Sequence, residues 1–326
     1  MLSVLRTSTS LRTLHLVSVE VKPCHQLVIL SIPTLKSLIL DDSPFVPTGI
    51  EMPRSSITSL KLTPGGRRLP VEHTLGLLRN TLETLEVTYL PVDIALILET
   101  MQLPRLTCIR GFAGFIPHPS STITKLCITT WSTQFPLGLS DSAFPQLREL
   151  YSPWCIGVHL IPRRPVQVFH DTEVKEARLA KLRTYLSLLS QSTRVIEELQ
   201  LQTSHSISPI LQLLAIRTPH LRRLHLWTAR DRFIWAKLLN AEERLTDKNL
   251  DALTEIHIGF PYTMLAMRCL KTWRAILPLV CLQIAPVLEV IHLSAGLTSA
   301  EAQHNIPPVW NLSLRRIHTG EWEEFI

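Results

Sequence analysis

A short phrase, apolar-x-x-apolar-x-apolar, recurs about twelve times along the 326 residues of this chain. In the first half it reads Leu11…Leu14…Leu16, Leu35…Leu38…Leu40, Ile57…Leu60…Leu62, Leu82…Leu85…Val87, Leu106…Ile109, Ile123…Leu126…Ile128 and Leu147…Leu150. It continues as Ile196…Leu199…Leu201, Leu221…Leu224…Leu226, Leu253…Ile256…Ile258, Leu288…Ile291…Leu293 and Leu314…Ile317. Successive copies begin 24, 22, 25, 24, 17, 24, 49, 25, 32, 35 and 26 residues apart. A unit of this size cannot bury its apolar face alone, so neighbouring copies must stack into a solenoid. The step of 49 is close to two periods, and the segment 166–170 is the best fit to a hidden strand. The steps of 32 and 35 leave room for longer helical arms.

Composition agrees with stacking. Hydrophobic residues make up 45% and charged residues only 18%, as expected if each repeat buries one strand face and one return segment. The 23 prolines outnumber the 11 glycines. Many precede a strand, in the junctions Pro33-Thr34-Leu35, Pro104-Arg105-Leu106, Pro145-Gln146-Leu147, Pro219-His220-Leu221 and Pro286-Val287-Leu288. Proline there is expected to end a helix and to fix an extended approach to the strand.

The net charge of +6 raises the question of an acidic partner or nucleic acid. The basic residues are scattered, in pairs such as Arg67-Arg68, Arg163-Arg164, Arg222-Arg223 and Arg315-Arg316, and no run reaches five. That distribution favours a solvated surface over a nucleic-acid track. The six cysteines form no C-x-x-C pair, which points to reduced thiols and a cytoplasmic or nuclear protein. The N-terminus lacks the apolar core of a signal peptide. Residues 275–293 are nearly all apolar, but two prolines and a repeat motif inside them favour buried helix plus strand over a membrane span.

Residues 1–152 hold tight repeats whose short, proline-broken returns leave space for helices only at 71–79 and 92–101. Residues 153–170 look irregular apart from the hidden strand. Asp171-Thr172, followed by Glu173 and Glu176, predicts a capped helix start. Its apolar face would comprise Val174, Ala177, Leu179, Leu182, Leu186 and Leu189. Beyond it, in the longer and more helical repeats of 153–326, arms are expected at 231–241, 247–253 and 264–277, with acidic Glu321-Trp322-Glu323-Glu324 in a polar cap. Only ten residues precede the first motif, whereas solenoid ends need caps, so the expectation is either that Met1 lies inside a longer natural protein or that a domain which once preceded it is missing.

The wording of several copies carries a resemblance. Leu-Arg-x-Leu-His-Leu stands at 11–16 and 221–226, Thr-Leu-Lys-Ser-Leu-Ile-Leu at 34–40, and Pro-Gln-Leu-Arg-Glu-Leu at 145–150. With Leu-Leu-Arg-Asn-Thr-Leu-Glu-Thr-Leu-Glu-Val at 77–87, the chain resembles the repeat region of the divergent F-box/leucine-rich-repeat proteins of fungi. The resemblance spans nearly the whole chain. It implies a right-handed α/β leucine-rich-repeat solenoid of about 12–13 repeats, a horseshoe whose concave side is a parallel β-sheet and whose convex side is irregular or helical. The asparagine or cysteine that the consensus places after each strand is matched only by Cys155, so a regular asparagine ladder is not expected. Leu69-Pro70-Val71-Glu72 is reminiscent of an F-box opening, but the strand motif at Leu82 leaves no space for three helices, and the segment reads as a return helix. The F-box is expected to be absent from these residues. Docking to a ubiquitin-ligase scaffold would need one upstream.

In a strand, the residue between the last two apolar positions points away from the core. That column reads His15, Ile39, Lys61, Glu86, Arg110, Cys127, Tyr151, Gln200, His225, His257, His292 and His318. Stacked in register, neighbouring histidines would sit ~4.8 Å apart at their backbones. They could bind Zn²⁺, sense pH, or be exposed residues that the motif tolerates. No carboxylate or cysteine accompanies them at fixed spacing, so zinc is expected to leave the melting temperature unchanged. A second outward column adds Arg223, Glu255, Val290 and Arg316, and Trp227, Phe260 and Trp322 follow the strands. Arginines and aromatics beside such a face suit partner contacts, or the aromatics are buried against an adjacent loop. The candidate partner-binding set is Arg223, His225, Trp227, Glu255, His257, His292, Arg316 and His318.

No G-x-S-x-G, H-E-x-x-H, P-loop or dinucleotide fingerprint occurs. The expectation is a single non-catalytic solenoid over residues 1–326, with no cofactor, metal or membrane contact. It would recognise a protein partner, in the resembled family a ubiquitination substrate. The alternative is a nucleic-acid or acidic-surface binder acting through basic patches.

Overall fold

The computed structural model describes residues 10–63, 71–87, 103–113, 122–131, 144–172, 179–203, 207–228, 250–260, 282, 285–295, 310–317 and 319–325. The chain divides into two compact units, Met1–Leu147 and Arg148–Ile326. Both are α/β, with strands hydrogen-bonded to their neighbours in chain order. No helix among the described residues is long and apolar enough to cross a membrane.

The first unit contains β1 (Thr13–Val17), α1 (Pro23–Leu30), β2 (Ser37–Asp41), β3 (Ser59–Thr63), α2 (Val71–Leu78), β4 (Thr84–Val87), β5 (Cys108–Ala113) and β6 (Lys125–Trp131). All six strands run parallel. The middle leucine of each motif lies beside its counterpart, in the row Leu14, Leu38, Leu60, Leu85, Ile109 and Leu126. Most of this row is buried, with Leu38, Leu60 and Leu85 fully so. Each such side chain contributes about 1.5–3 kcal/mol relative to exposure. Helix α2 falls inside the expected 71–79 and buries Val71, Thr74, Leu75 and Leu78, one stripe at helical spacing. The expected helix at 92–101 lies outside the described residues. Helix α1 was not expected. Pro23 starts it, and its buried Gln26 donates from Nε2 to the carbonyls of Val21 and Val46, tying two returns together.

The second unit contains β7 (Glu149–Ser152), α3 (Trp154–Leu160), β8 (Val168–Asp171), α4 (Leu179–Leu189), β9 (Glu198–Thr203), α5 (Ile207–Arg217), β10 (Arg223–Thr228), β11 (Glu255–Phe260), β12 (Val290–Ala295), β13 (Trp310–Arg316) and β14 (Trp322–Phe325). Strand β8 overlaps the hidden copy expected at 166–170. One local expectation changes. Residues 154–160 are not irregular, because α3 occupies them. Its Trp154 ring lies 4.5 Å from Phe169 and stacks on Tyr185 at 4.8 Å. Asp171 ends β8 as a buried residue, and the residues that would begin the expected helix lie outside the described residues. The expected arms at 231–241 and 264–277 lie outside the described residues, and 250–253 form a turn.

The larger correction concerns direction. Strands β7 to β12 are parallel to their described neighbours, but β13 pairs antiparallel with β12, and β14 antiparallel with β13. The sheet is therefore mostly, not wholly, parallel.

Register is fixed by a device that recurs in both units. The carbonyl of the residue before the strand accepts two successive N–H groups of the next copy. Arg12 O takes Lys36 and Ser37, Lys36 O takes Thr58 and Ser59, and Glu197 O takes Arg222 and Arg223. The prolines act just upstream. Leu35, Leu106, Leu147, Leu221 and Leu288 each donate from N–H to the carbonyl three residues back, which makes Pro33, Pro104, Pro145, Pro219 and Pro286 the second residue of a tight turn. Proline is placed there by its preset φ, and not, as expected, by an extended approach to the strand.

Candidate functional site

Alternation places the leucines of each motif in the core and the intervening residue on the opposite face. In the first unit that outer row is His15, Ile39, Lys61, Glu86, Arg110 and Cys127, as the sequence indicates. Within it an ion pair joins Lys61 and Glu86, both partly exposed, and such a pair contributes ~1 kcal/mol or less.

In the second unit the outer row is Tyr151, His170, Gln200, His225, His257, His292, Ser313 and Phe325, one residue from each of eight strands. Neighbouring rings touch along most of it. Centroid separations are 4.5 Å for Tyr151–His170, 5.7 Å for His170–His225, 5.5 Å for His225–His257, 5.7 Å for His257–His292 and 5.9 Å for His292–Phe325. Arg315 closes the row, its guanidinium carbon 4.4 Å from the centre of the Phe325 ring.

One carboxylate organises the first half of the row. Glu198 Oε1 is 2.7 Å from His170 Nε2 and 3.8 Å from His225 Nε2, while Oε2 is 2.6 Å from Arg223 Nη2. An ionised carboxylate only accepts, so His170 Nε2 carries the proton that it donates. That hydrogen bond, with the charges of His170, Arg223 and His225, holds the Glu198 carboxyl below its ordinary value although burial opposes the shift. The second half is held by hydroxyls and a second carboxylate. His257 Nε2 shares a 2.9 Å hydrogen bond with Ser294 Oγ, and His292 Nδ1 shares one of 2.9 Å with Ser313 Oγ. Glu255 Oε1 lies 3.5 Å from His292 Nε2.

Burial keeps these imidazoles neutral. His225 is lowered to about 4, first by desolvation and next by the charge of His170. His257 is lowered to about 3 by desolvation and by the charges of His225 and His292. His292 is lowered by desolvation, against the pull of Glu255.

The candidate residues fare differently. His225, His257 and His292 are brought together as one ladder. Arg223 and Glu255 stand beside it, the Arg223 side chain 52% exposed. Trp227 is on the same face but buried, its ring lying over Gly259 of the next strand and 5.5 Å from His257. Only glycine fits beneath it, because a Cβ at 259 would fall 2.0 Å from Trp227 Cε3. Arg316 does not join the outward column. The antiparallel pairing sets Arg315, not Arg316, opposite Val290, and the Arg316 guanidinium donates to the carbonyl of Pro286. His318 lies outside the described residues, and Ser313 occupies the place beside His292. The sequence reading omitted His170 and Glu198 from the site. Both were findable: His170 is in the hidden strand, and Glu198 stands two residues before Gln200, as Arg223 stands before His225.

Chemically, the row offers neutral donors and acceptors at fixed spacing. Ser313, His292 and Glu255 follow the order of a nucleophile, base and acid, but Ser313 is buried in a strand paired on both sides, whose N–H groups are not free to form an oxyanion hole. Among the described residues no three His, Cys, Asp or Glu side chains converge as metal ligands. Comparison with protein-family models gives no match to this chain. Comparison with curated proteins gives none either.

Proposed function

We propose that this chain is a non-catalytic protein-recognition scaffold built on leucine-rich repeats, working as the substrate-binding part of an F-box-type ubiquitin-ligase subunit. The observation that carries the reading is the outer row of the second unit. Eight strands contribute a continuous polar and aromatic strip, flanked by Arg223 and Glu255, in which most side chains are already held by a neighbour. Side chains fixed before binding lose little entropy on association. Aromatic and arginine groups are the types that anchor interfaces. An F-box elsewhere in the full-length protein would connect the strip to the ligase scaffold.

The test is site-specific photo-crosslinking in cells. A photoreactive residue at position 255 should capture a discrete polypeptide, and Arg223→Ala should abolish the capture. The same probe at exposed Arg183 on α4 should not capture that polypeptide. Equal capture from both positions, or salt-sensitive binding to random oligonucleotides in place of a protein, refutes the reading.

A further inference from the structure

The turn from α4 into β9 and the turn from α5 into β10 lie side by side, and a cleft of about 220 Å³ opens between them. Arg194, Arg217, His220 and Thr193 line it, with Val195 and Pro219. The three basic side chains belong to exposed residues. No ion pair among the described residues engages Arg194 or Arg217. None of the residues lining the cleft is Asp or Glu. Two guanidinium-bearing residues thus share a cleft with no carboxylate among its lining residues.

The turns that present them are held from within. Ser192 Oγ hydrogen-bonds to the carbonyls of Arg164 and Val166, and Thr218 Oγ1 donates to that of Leu214. The Thr193 N–H donates to Arg164 O, and Arg163 N–H donates to Gln191 O. Arg164, itself buried, donates to the carbonyls of His159 and Pro162 and so fixes the preceding turn. The cleft therefore has a preset frame lined by two exposed arginines.

We propose that this cleft is a phosphoanion subsite that takes a phosphorylated side chain of the protein partner. The inference rests on the protein-recognition reading above and adds a chemical requirement for the partner. Guanidinium groups bind phosphate oxygens in pairs, and two of them match a dianion. A hydroxyl from Thr193 and a ring nitrogen from His220 supply further hydrogen-bonding groups. Nucleic acid would need cations spread along a track. Here the cationic residues line one small cleft together with Val195, 48% exposed, and Pro219. Apolar flanks suit the neighbours of a phosphorylated residue in a polypeptide.

The test is fluorescence anisotropy on the full chain with four probes. They are a pool of phosphoserine and phosphothreonine peptides with apolar flanking residues, the same pool unphosphorylated, a single-stranded oligonucleotide, and inorganic phosphate as competitor. The phosphorylated pool should bind at least tenfold tighter than its unphosphorylated counterpart, and phosphate should displace it. Arg194→Gln and Arg217→Gln should each weaken binding roughly tenfold, the loss of one charge-assisted contact. Both positions are exposed, so the melting temperature should not move, which separates lost binding from lost folding. Failure of the phosphorylated pool to bind, equal binding of the two pools, indifference to both substitutions, or binding of the oligonucleotide alone overturns the proposal. Crosslinking from position 255 is independent of the cleft. If it persists while peptide binding fails, only the phosphoanion subsite falls; if both fail, the recognition reading falls with it.

Discussion

Trp227 and Glu198 are the residues on which the outer row turns. The indole can lie flat across the next strand only because position 259 has no side chain. Gly259→Ala should therefore force the ring out of place. We expect a loss of about 1–3 kcal/mol, in the range of other overpacking substitutions, read as a lower denaturant midpoint with a changed tryptophan emission. An unchanged midpoint would show that the ring can move without cost. Glu198 is a different case, because its contacts are electrostatic. Glu198→Gln removes the negative charge that His170 and Arg223 share and leaves one acceptor oxygen for the two donors. The cost should be about 1–3 kcal/mol, since a hydrogen bond to a charged group is lost within a half-closed site. The carboxylate also raises His225 against burial. Its neutralisation should move the His225 titration in an NMR series further below about 4, and an upward movement would contradict the assigned contact.

At the level of elements, much of the architecture was legible because the motif is both a strand pattern and a core pattern. Leu221, Leu224 and Leu226 name a turn, a strand and a buried face at once. The direction of β13 was not legible. An alternation of period two reads the same from either end, so Leu312 and Leu314 fit a parallel or an antiparallel strand equally well. Reading the last copy as Leu314…Ile317 also sets it three residues late, since Leu314 and not Ile317 lies opposite Ile291, and this misplaces Arg316 and conceals Ser313. Helix α3 was missed for another reason: it is short, carries Gly157 against the Phe169 ring, and sits between Pro153 and Pro162, so composition argues for a loop. The tight turns before the strands are an element that can be engineered. Leu253 donates to Leu250 O in the turn that Leu221 makes with Thr218, but the second position holds Asp251, an exposed residue, where the other copy has Pro219. Asp251→Pro should stabilise the fold by about 0.4–1 kcal/mol by restricting the unfolded chain, and Pro219→Ala should cost about as much. Paired denaturation curves decide the point. A destabilising Asp251→Pro would mean that the two turns differ in backbone conformation.

At the scale of the whole molecule, the two units should respond differently to acid, because the strongly shifted imidazoles belong to the second. An unfolded histidine titrates near 6.5. In the fold, His225 titrates at about 4 and His257 at about 3. Between those values and 6.5 the unfolded chain binds more protons than the native one, so stability falls as pH falls. The stabilisation is complete above the unfolded value and is lost progressively toward pH 4. Each histidine accounts for about 3 kcal/mol over that range. Glu198, whose shift is also downward, acts in the same direction, with its loss setting in at lower pH as the carboxylate takes up its proton. The groups facing the two imidazoles are His170, Glu198, Arg223 and Trp227 on one side and His292, Ser294 and Glu255 on the other. Of these only Glu198 and Glu255 carry charge that could offset protonation. Total stabilities of 5–15 kcal/mol are typical, so a loss of this size would open the second unit near pH 4. Hydrogen exchange followed by mass spectrometry, corrected for the intrinsic pH dependence of exchange, should show β10 to β12 losing protection between pH 6.5 and 4 while β2 to β4 keep theirs. His257→Gln removes one of the two protonation sites and should flatten the dependence by about 3 kcal/mol. Should β2 to β4 lose protection at the same pH, or should His257→Gln leave the curve unchanged, the neutral histidine ladder is not what sets the acid limit of the fold.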